Sequence, residues 1–214
     1  MSQKKAELLL AAVIIARSSS FLFTRVGLES MGLYNLMALR YILAFAVILG
    51  IFRKKMRHVT AGTLLRSAVL SGLFFGLLVM ETNSLIRTDA STTAFLEDSA
   101  VVLVPLVNAV LVRKLPSRIT VISALVAFAG IFCMTLSGGL SGIGSGELFA
   151  LGGAAFYTAY ILVGDRFGNH EDILEVSVLQ NGFLALYGVI AAFLTESPRL
   201  PSAGTEWVCI LALA

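Results

Sequence analysis

Long apolar stretches dominate the chain, and short polar clusters separate them at regular intervals. Seven of the stretches are roughly 20 residues long, the length at which an α-helix crosses the hydrocarbon core of a bilayer. They fall at 6–26, 32–52, 64–86, 91–112, 118–137, 146–165 and 173–195, and an eighth begins near Thr205 and is cut off at Ala214. The pattern predicts an all-α, polytopic helical membrane protein. The first stretch is the most polar, because Arg17, Ser18, Ser19, Ser20, Thr24 and Arg25 dilute it. A helix of that kind should not face lipid on all sides. Lys4 and Lys5 before Leu8 to Ala16 resemble the start of a secretory signal. No small-x-small cleavage site follows, and further apolar runs do, so an uncleaved first helix is expected.

Composition agrees with this solvent. The chain has 214 residues, 57% of them hydrophobic and 14% charged, with mean hydropathy +0.90. Soluble domains carry nearer a quarter of charged residues, whereas a protein in lipid needs apolar surface outside as well as inside. A formal charge of +3 is too small to suggest nucleic acid. The Lys and Arg residues are instead topology signals. Eleven lie at the N-terminus and in alternate connections (Lys4, Lys5, Arg53, Lys54, Lys55, Arg57, Arg66, Arg113, Lys114, Arg118, Arg166), against three on the other side (Arg25, Arg87, Arg199). By the positive-inside rule the N-terminus is expected to be cytoplasmic. Cys133 and Cys209 lie in apolar runs at no metal-ligand spacing and read as core residues.

One Gly/Ser-rich stretch, "GGLSGIGSG" at 138–146, divides the chain after five spans. It reads as a flexible connection. An ungapped offset of 140 sets Glu7 against Glu147, Leu8 against Leu148, Leu22 against Leu162, Leu39 against Leu179, and Arg40 against Gln180. The expected organisation is a first repeat over 1–139 and an incomplete second repeat over 140–214. An odd number of spans per repeat inverts the second relative to the first, an architecture common among secondary transporters.

Three segments carry a family resemblance. They are "ARSSSFLFTRVGLESMGLYNLMALRYILA" (16–44), "TDASTTAFLEDSAVVLVPLVNAVLVRKLPS" (88–117) and "GELFALGGAAFYTAYILVGDRF" (146–167). In order and spacing they resemble the first two helices, the fourth helix and the start of the second repeat of EamA-type transporters of the drug/metabolite transporter superfamily. The resemblance implies ten helices in two inverted five-helix repeats, both termini cytoplasmic, and a central substrate cavity. The chain departs from that pattern in two ways. It ends inside the eighth helix, and it carries Arg17, Glu97 and Asp98 where such sequences usually have small, aromatic or uncharged residues.

The polar residues inside the spans are the candidate site. At 1.5 Å per residue, Arg17 falls near the midplane, and Arg40, Glu81, Glu97 and Asp98 fall in the outer half. A charge left in hydrocarbon costs on the order of 3 kcal/mol. These groups are therefore expected to be paired, hydrated in a cavity or neutral. Adjacent helical positions diverge by about 100°, so Glu97 and Asp98 cannot face one neighbour together. Glu97 has Thr93, Val101 and, further on, Pro105 and Asn108 near its face, which is slightly more polar than that of Asp98, and it is favoured for the cavity. Two readings stand side by side for these residues: structural ion pairs or interfacial solvation, and direct contact with substrate or protons. Tyr157, Tyr160 and Gln180 are added as candidate walls of a solute site, with core packing as the alternative. Pro105 removes one backbone hydrogen bond and is the expected place for a kink.

There is no HExxH, GxSxG or phosphate-loop motif, and His58 and His170 sit in connections. Neither an enzyme nor a cofactor or metal site is expected. The expected function is a secondary transporter of small organic metabolites or drug-like solutes, an exporter working by alternating access in a bacterial plasma membrane, with protons as a coupling ion. A non-transporting membrane scaffold or truncated remnant is the alternative, motivated by the chain end at Ala214.

Overall fold

The computed structural model describes residues 7, 19–54, 56, 59–113, 117–137, 144–168 and 173–213. Arg17, Lys4, Lys5, His58, His170 and the Gly-rich stretch 138–143 lie outside the described residues, as does the side chain of Cys133. Helix α1 occupies residues 19–28. It is followed by α2 (Leu33–Phe52), α3 (Ala61–Leu85), α4 (Ala90–Asp98), α5 (Ala100–Leu111), α6 (Arg118–Ser137), α7 (Ser145–Gly168), α8 (Ile173–Thr195) and α9 (Gly204–Leu213). The described residues contain no strand.

Five of these segments are long and apolar enough to cross a bilayer: Leu33–Phe52, Ala61–Leu85, Ala90–Leu111, Ser145–Phe167 and Ile173–Thr195. Their surfaces explain the composition. Val101, Leu125, Val126, Phe193 and Leu194 are all exposed. Such a surface is costly in water and suited to lipid. Several hydroxyls within the spans bond back to the backbone of their own helix, whereas the buried Ser67 and Thr24 hydroxyls find no partner among the described residues. Ser71 Oγ donates to the Ser67 carbonyl (2.6 Å), Thr82 Oγ1 to Leu78 (2.7 Å) and Thr158 Oγ1 to Ala154 (2.7 Å).

Two seams set the frame. α8 lies against α2 and α3, and α7 lies against α3. At the first seam a Cβ on Gly188 would come within 3.0 Å of the Ala38 Cα and N. The missing side chain lets the α2 and α8 backbones meet, the usual device where lipid supplies no hydrophobic drive between helices. Met37, Tyr41, Leu78, Leu184 and Ala185 form a buried cluster there. Met31, Leu36 and Ile210 form a second one under α9.

Opposite ends of the bundle differ in charge. Arg53, Arg66, Arg113, Arg118 and Arg166 lie at one, called here the basic end. The α1–α2, α3–α4 and α8–α9 connections lie at the other, the far end.

The fourth span is not one continuous helix. It breaks at Ser99, whose hydroxyl donates to the Leu96 carbonyl (2.6 Å) while its amide also turns back on Leu96 (3.3 Å). α5 restarts at Ala100 and runs through Pro105 without a second break. The interruption thus comes six residues before the proline, at a serine that draws the chain into a tighter turn. The pair Glu97–Asp98 ends the first half-helix.

Candidate functional site: a charged chamber and a vestibule

Two of the cavities along the bundle are lined by candidate residues. The first, a chamber of about 170 Å³, is lined by Ser20, Phe21, Arg40, Tyr41, Phe74, Leu77, Leu78, Glu81 and Glu97. Four elements build it, α1, α2, α3 and α4. Arg40 enters from α2, seven residues or about 10 Å from the far end. Its guanidinium carbon sits 4.7 Å from the centre of the Tyr41 ring, a cation–π contact. Arg40 Nε is buried and makes no hydrogen bond among the described residues. Glu81 enters from α3. Glu97 enters from the last turn of α4 and is 1% exposed. One guanidinium and two carboxylates therefore face a shared space enclosed by the apolar helices. There, field screening is weak and polar groups interact strongly.

Asp98, one position on, is exposed and does not line this chamber. The divergence of adjacent helical positions separates the two acids. Thr93, one turn before Glu97, is fully buried and shares a hydrogen bond with Ser84 of α3 (2.8 Å). That contact fixes the α4 face on which Glu97 stands.

The second cavity, a vestibule of about 270 Å³, opens between α3, α7 and α8 towards the basic end. Tyr160 and Gln180 line it together, with Arg66, Gly164, Phe167 and Ser177. The Tyr160 hydroxyl and the Gln180 side-chain amide are hydrogen-bonded, with donor–acceptor separations of 3.2 and 3.3 Å. Tyr157 stacks on Tyr160 with ring centres 6.4 Å apart, and is not among the residues that line either cavity. Arg66 lies over the Phe167 ring at 5.7 Å.

Residues that the sequence reading grouped as one site are thus divided. Arg40 and Glu97 belong to the chamber, Tyr160 and Gln180 to the vestibule, Tyr157 supports Tyr160, Asp98 faces away, and Arg17 is outside the described residues. Phe74 and Tyr41 were not anticipated as walls of the site. An aromatic residue in an apolar span carries the same signal whether it faces lipid, core or cavity.

A third polar cluster closes the far end. Glu196, just past α8, accepts from the Tyr34 amide (3.1 Å) and the Asn35 amide (3.0 Å). It caps the N-terminus of α2, which has no side-chain cap of its own. The room for this carboxylate exists because position 32 is glycine, where a Cβ would overlap it at 2.2 Å. Asn35 Nδ2 donates to the Arg199 carbonyl (3.0 Å), and the Arg199 guanidinium donates to the Ser30 carbonyl and to Glu206 Oε1 (2.7 Å). Glu206 Oε2 accepts from the Ser202 amide (2.7 Å) and, as half of a capping box, from Ala203 (3.4 Å). Apart from that Glu206 capping position, no local pattern in the sequence marks this cluster.

The fold is that of a polytopic helical membrane protein whose interior carries opposed charges. The EamA-like transporter family model matches residues 4–136. The chain belongs to that family, a part of the drug/metabolite transporter superfamily. A solved chain described as "Crystal structure of protein" is similar in fold, with TM-score 0.62 and 18% identity over 95% of this chain and 73% of that one. No curated protein matches. The chain is accordingly an integral membrane protein of a transporter family.

Proposed function

We propose that the protein is a secondary transporter that exports small organic solutes by alternating access, with the charged chamber as its solute site. The observation that carries this reading is the convergence of Arg40, Glu81 and Glu97 on one cavity enclosed by the apolar helices. Charges in hydrocarbon cost several kcal/mol as a set, and a fold keeps them where solute or water meets them. In this reading the basic end faces the cytoplasm, as the positive-inside rule implies. The N-terminus is then cytoplasmic and the far-end cluster external. The two parts of the chain, 1–139 and 140–214, are inverted repeats, and their relative rocking exposes the chamber to each side in turn.

Glu97 is assigned the coupling role. A carboxylate that gains and loses a proton in a low-dielectric cavity changes its affinity for a charged partner, which links solute movement to a proton gradient. The test is transport into lipid vesicles with and without an imposed pH gradient. Export coupled to protons responds to the gradient, and Glu97→Gln abolishes that response. Transport indifferent to the gradient in both forms would remove the coupling role and leave the solute site to be tested by Arg40 variants.

A further inference from the structure

The chamber and the vestibule stand in a relation that neither cavity shows alone. Ser20, Phe21 and Arg40 line the chamber. Tyr160, Ile161 and Gln180 line the vestibule. Each of the three pairs, Ser20 with Tyr160, Phe21 with Ile161 and Arg40 with Gln180, is separated by 140 positions. That is the offset at which the sequence suggests a repeat, and the Arg40–Gln180 pair is one of those that suggested it. The chamber lies in the far half of the bundle and the vestibule in the basic half, as an inverted repeat would place counterparts.

Only a thin wall stands between them. Phe74 lines the chamber and Tyr160 lines the vestibule, and their rings are in contact with centres 5.1 Å apart, tilted by 53°. Tyr160 is held in that position by the Gln180 amide and by stacking on Tyr157. The hydrogen bond is at the long end of the normal range.

We propose that the two cavities are pseudo-equivalent halves of one solute path, and that Phe74 and Tyr160 form the barrier between them. The proposal rests on the transporter reading above and adds a second solute station to it. The stations differ in chemistry. The chamber holds a solute by charge, through Arg40 and the two glutamates. The vestibule offers neutral hydrogen bonds from Tyr160, Gln180 and Ser177 among apolar walls, with the one cation Arg66 in its lining. A cationic or zwitterionic solute is therefore held less firmly in the vestibule, whose lining charge is Arg66, than in the chamber with its two glutamates, and the Arg40-to-Gln180 difference contributes to that asymmetry.

The experiment is sided thiol labelling in lipid vesicles, in a chain whose Cys133 and Cys209 are replaced by Ala. Ser177→Cys reports on the vestibule and Ser20→Cys on the chamber. The probe is a membrane-impermeant trimethylammonium methanethiosulfonate, added from the face at which Ser177→Cys reacts. From that face Ser20→Cys is expected to react about ten-fold or more slowly than Ser177→Cys. Phe74→Ala should raise the Ser20→Cys rate about ten-fold and leave the Ser177→Cys rate unchanged. Tyr160→Phe keeps the ring and loses the hydroxyl, and should raise it by only about two- to three-fold. Phe74→Leu, which keeps most of the apolar volume, should fall between. A chamber reporter that reacts as fast as the vestibule reporter with the aromatic pair intact overturns the barrier. So does a chamber rate that no Phe74 or Tyr160 variant changes. Labelling reads the barrier without any solute. If the rates behave as expected but no solute moves, the barrier stands and the transporter reading falls.

Discussion

At the scale of single residues, two adjacent acids have different surroundings. Glu97 is buried on the chamber wall and Asp98 is exposed on the other side of the helix. Glu97→Gln is expected to slow transport about ten-fold or more, because a charge-assisted contact to a solute or to Arg40 contributes roughly 1.5–3 kcal/mol. Asp98→Asn should change the rate by less than about three-fold, within the small range of exposed charges. Initial rates of solute flux in vesicles separate the two, and equal losses would place both acids in one functional unit. Helical rise converts sequence position into an expected depth for these acids along the membrane normal. The preference for Glu97 over Asp98 rested on its slightly more polar face, and of the two acids Glu97 is the one that lines the chamber. The aromatic walls were not legible. Tyr41 and Phe74 carry no charge to betray a cavity, and their neighbours across the seam come from helices far away in sequence.

At the scale of elements, hydropathy located the helices well, since each must satisfy its backbone within the segment and cannot be short. The predicted span 173–195 coincides with α8 (Ile173–Thr195), and 118–137 with α6 (Arg118–Ser137). The fourth span is the instructive departure. Pro105 was the obvious breaker, but a proline deletes only one hydrogen bond and α5 carries it. The break falls at Ser99, where a hydroxyl competes with the backbone for the Leu96 carbonyl. Hydropathy cannot register that competition. Close approach of helices is equally silent in a hydropathy profile. Gly188→Leu should force α2 and α8 apart and lower stability by about 1–3 kcal/mol, measured as a fall in the thermal midpoint in detergent. No change in midpoint would mean that the seam repacks freely. Glu196→Ala should lose about 1–2 kcal/mol through the uncapped α2 amides, read in the same way. Glu196→Gln, which keeps an oxygen for one amide, should recover part of the loss.

At the scale of the whole molecule, the arrangement is a bundle with a chamber lined by Arg40, Glu81 and Glu97 in one half, a vestibule lined by Tyr160, Gln180 and Arg66 in the other, and the Phe74 and Tyr160 rings in contact between them. The membrane solvent and the helix layout could be read from composition and hydropathy, and the family from the resemblance of three segments. The division of the candidate residues into two cavities could not, because it depends on which faces of α3, α7 and α8 meet. The far-end cluster adds a tie between the α1–α2 and α8–α9 connections, through Glu196, Arg199 and Glu206. If rocking opens the chamber to that side, this tie must break. Arg199→Ala should then raise labelling of Ser20→Cys from the far side by about three- to ten-fold. An unchanged rate would make the cluster purely structural.

The central claim is that the chamber of Arg40 and Glu97 is the solute site. Its most direct test is flux of a panel of small radiolabelled organic ions and zwitterions across vesicles containing the purified protein, compared among the wild-type chain, Arg40→Ala and Glu97→Gln. The expected result is protein-dependent flux of at least one solute that falls about ten-fold or more in both variants, with thermal midpoints retained. Protein-dependent flux that both variants leave intact, or no flux of any solute in the panel, would contradict it.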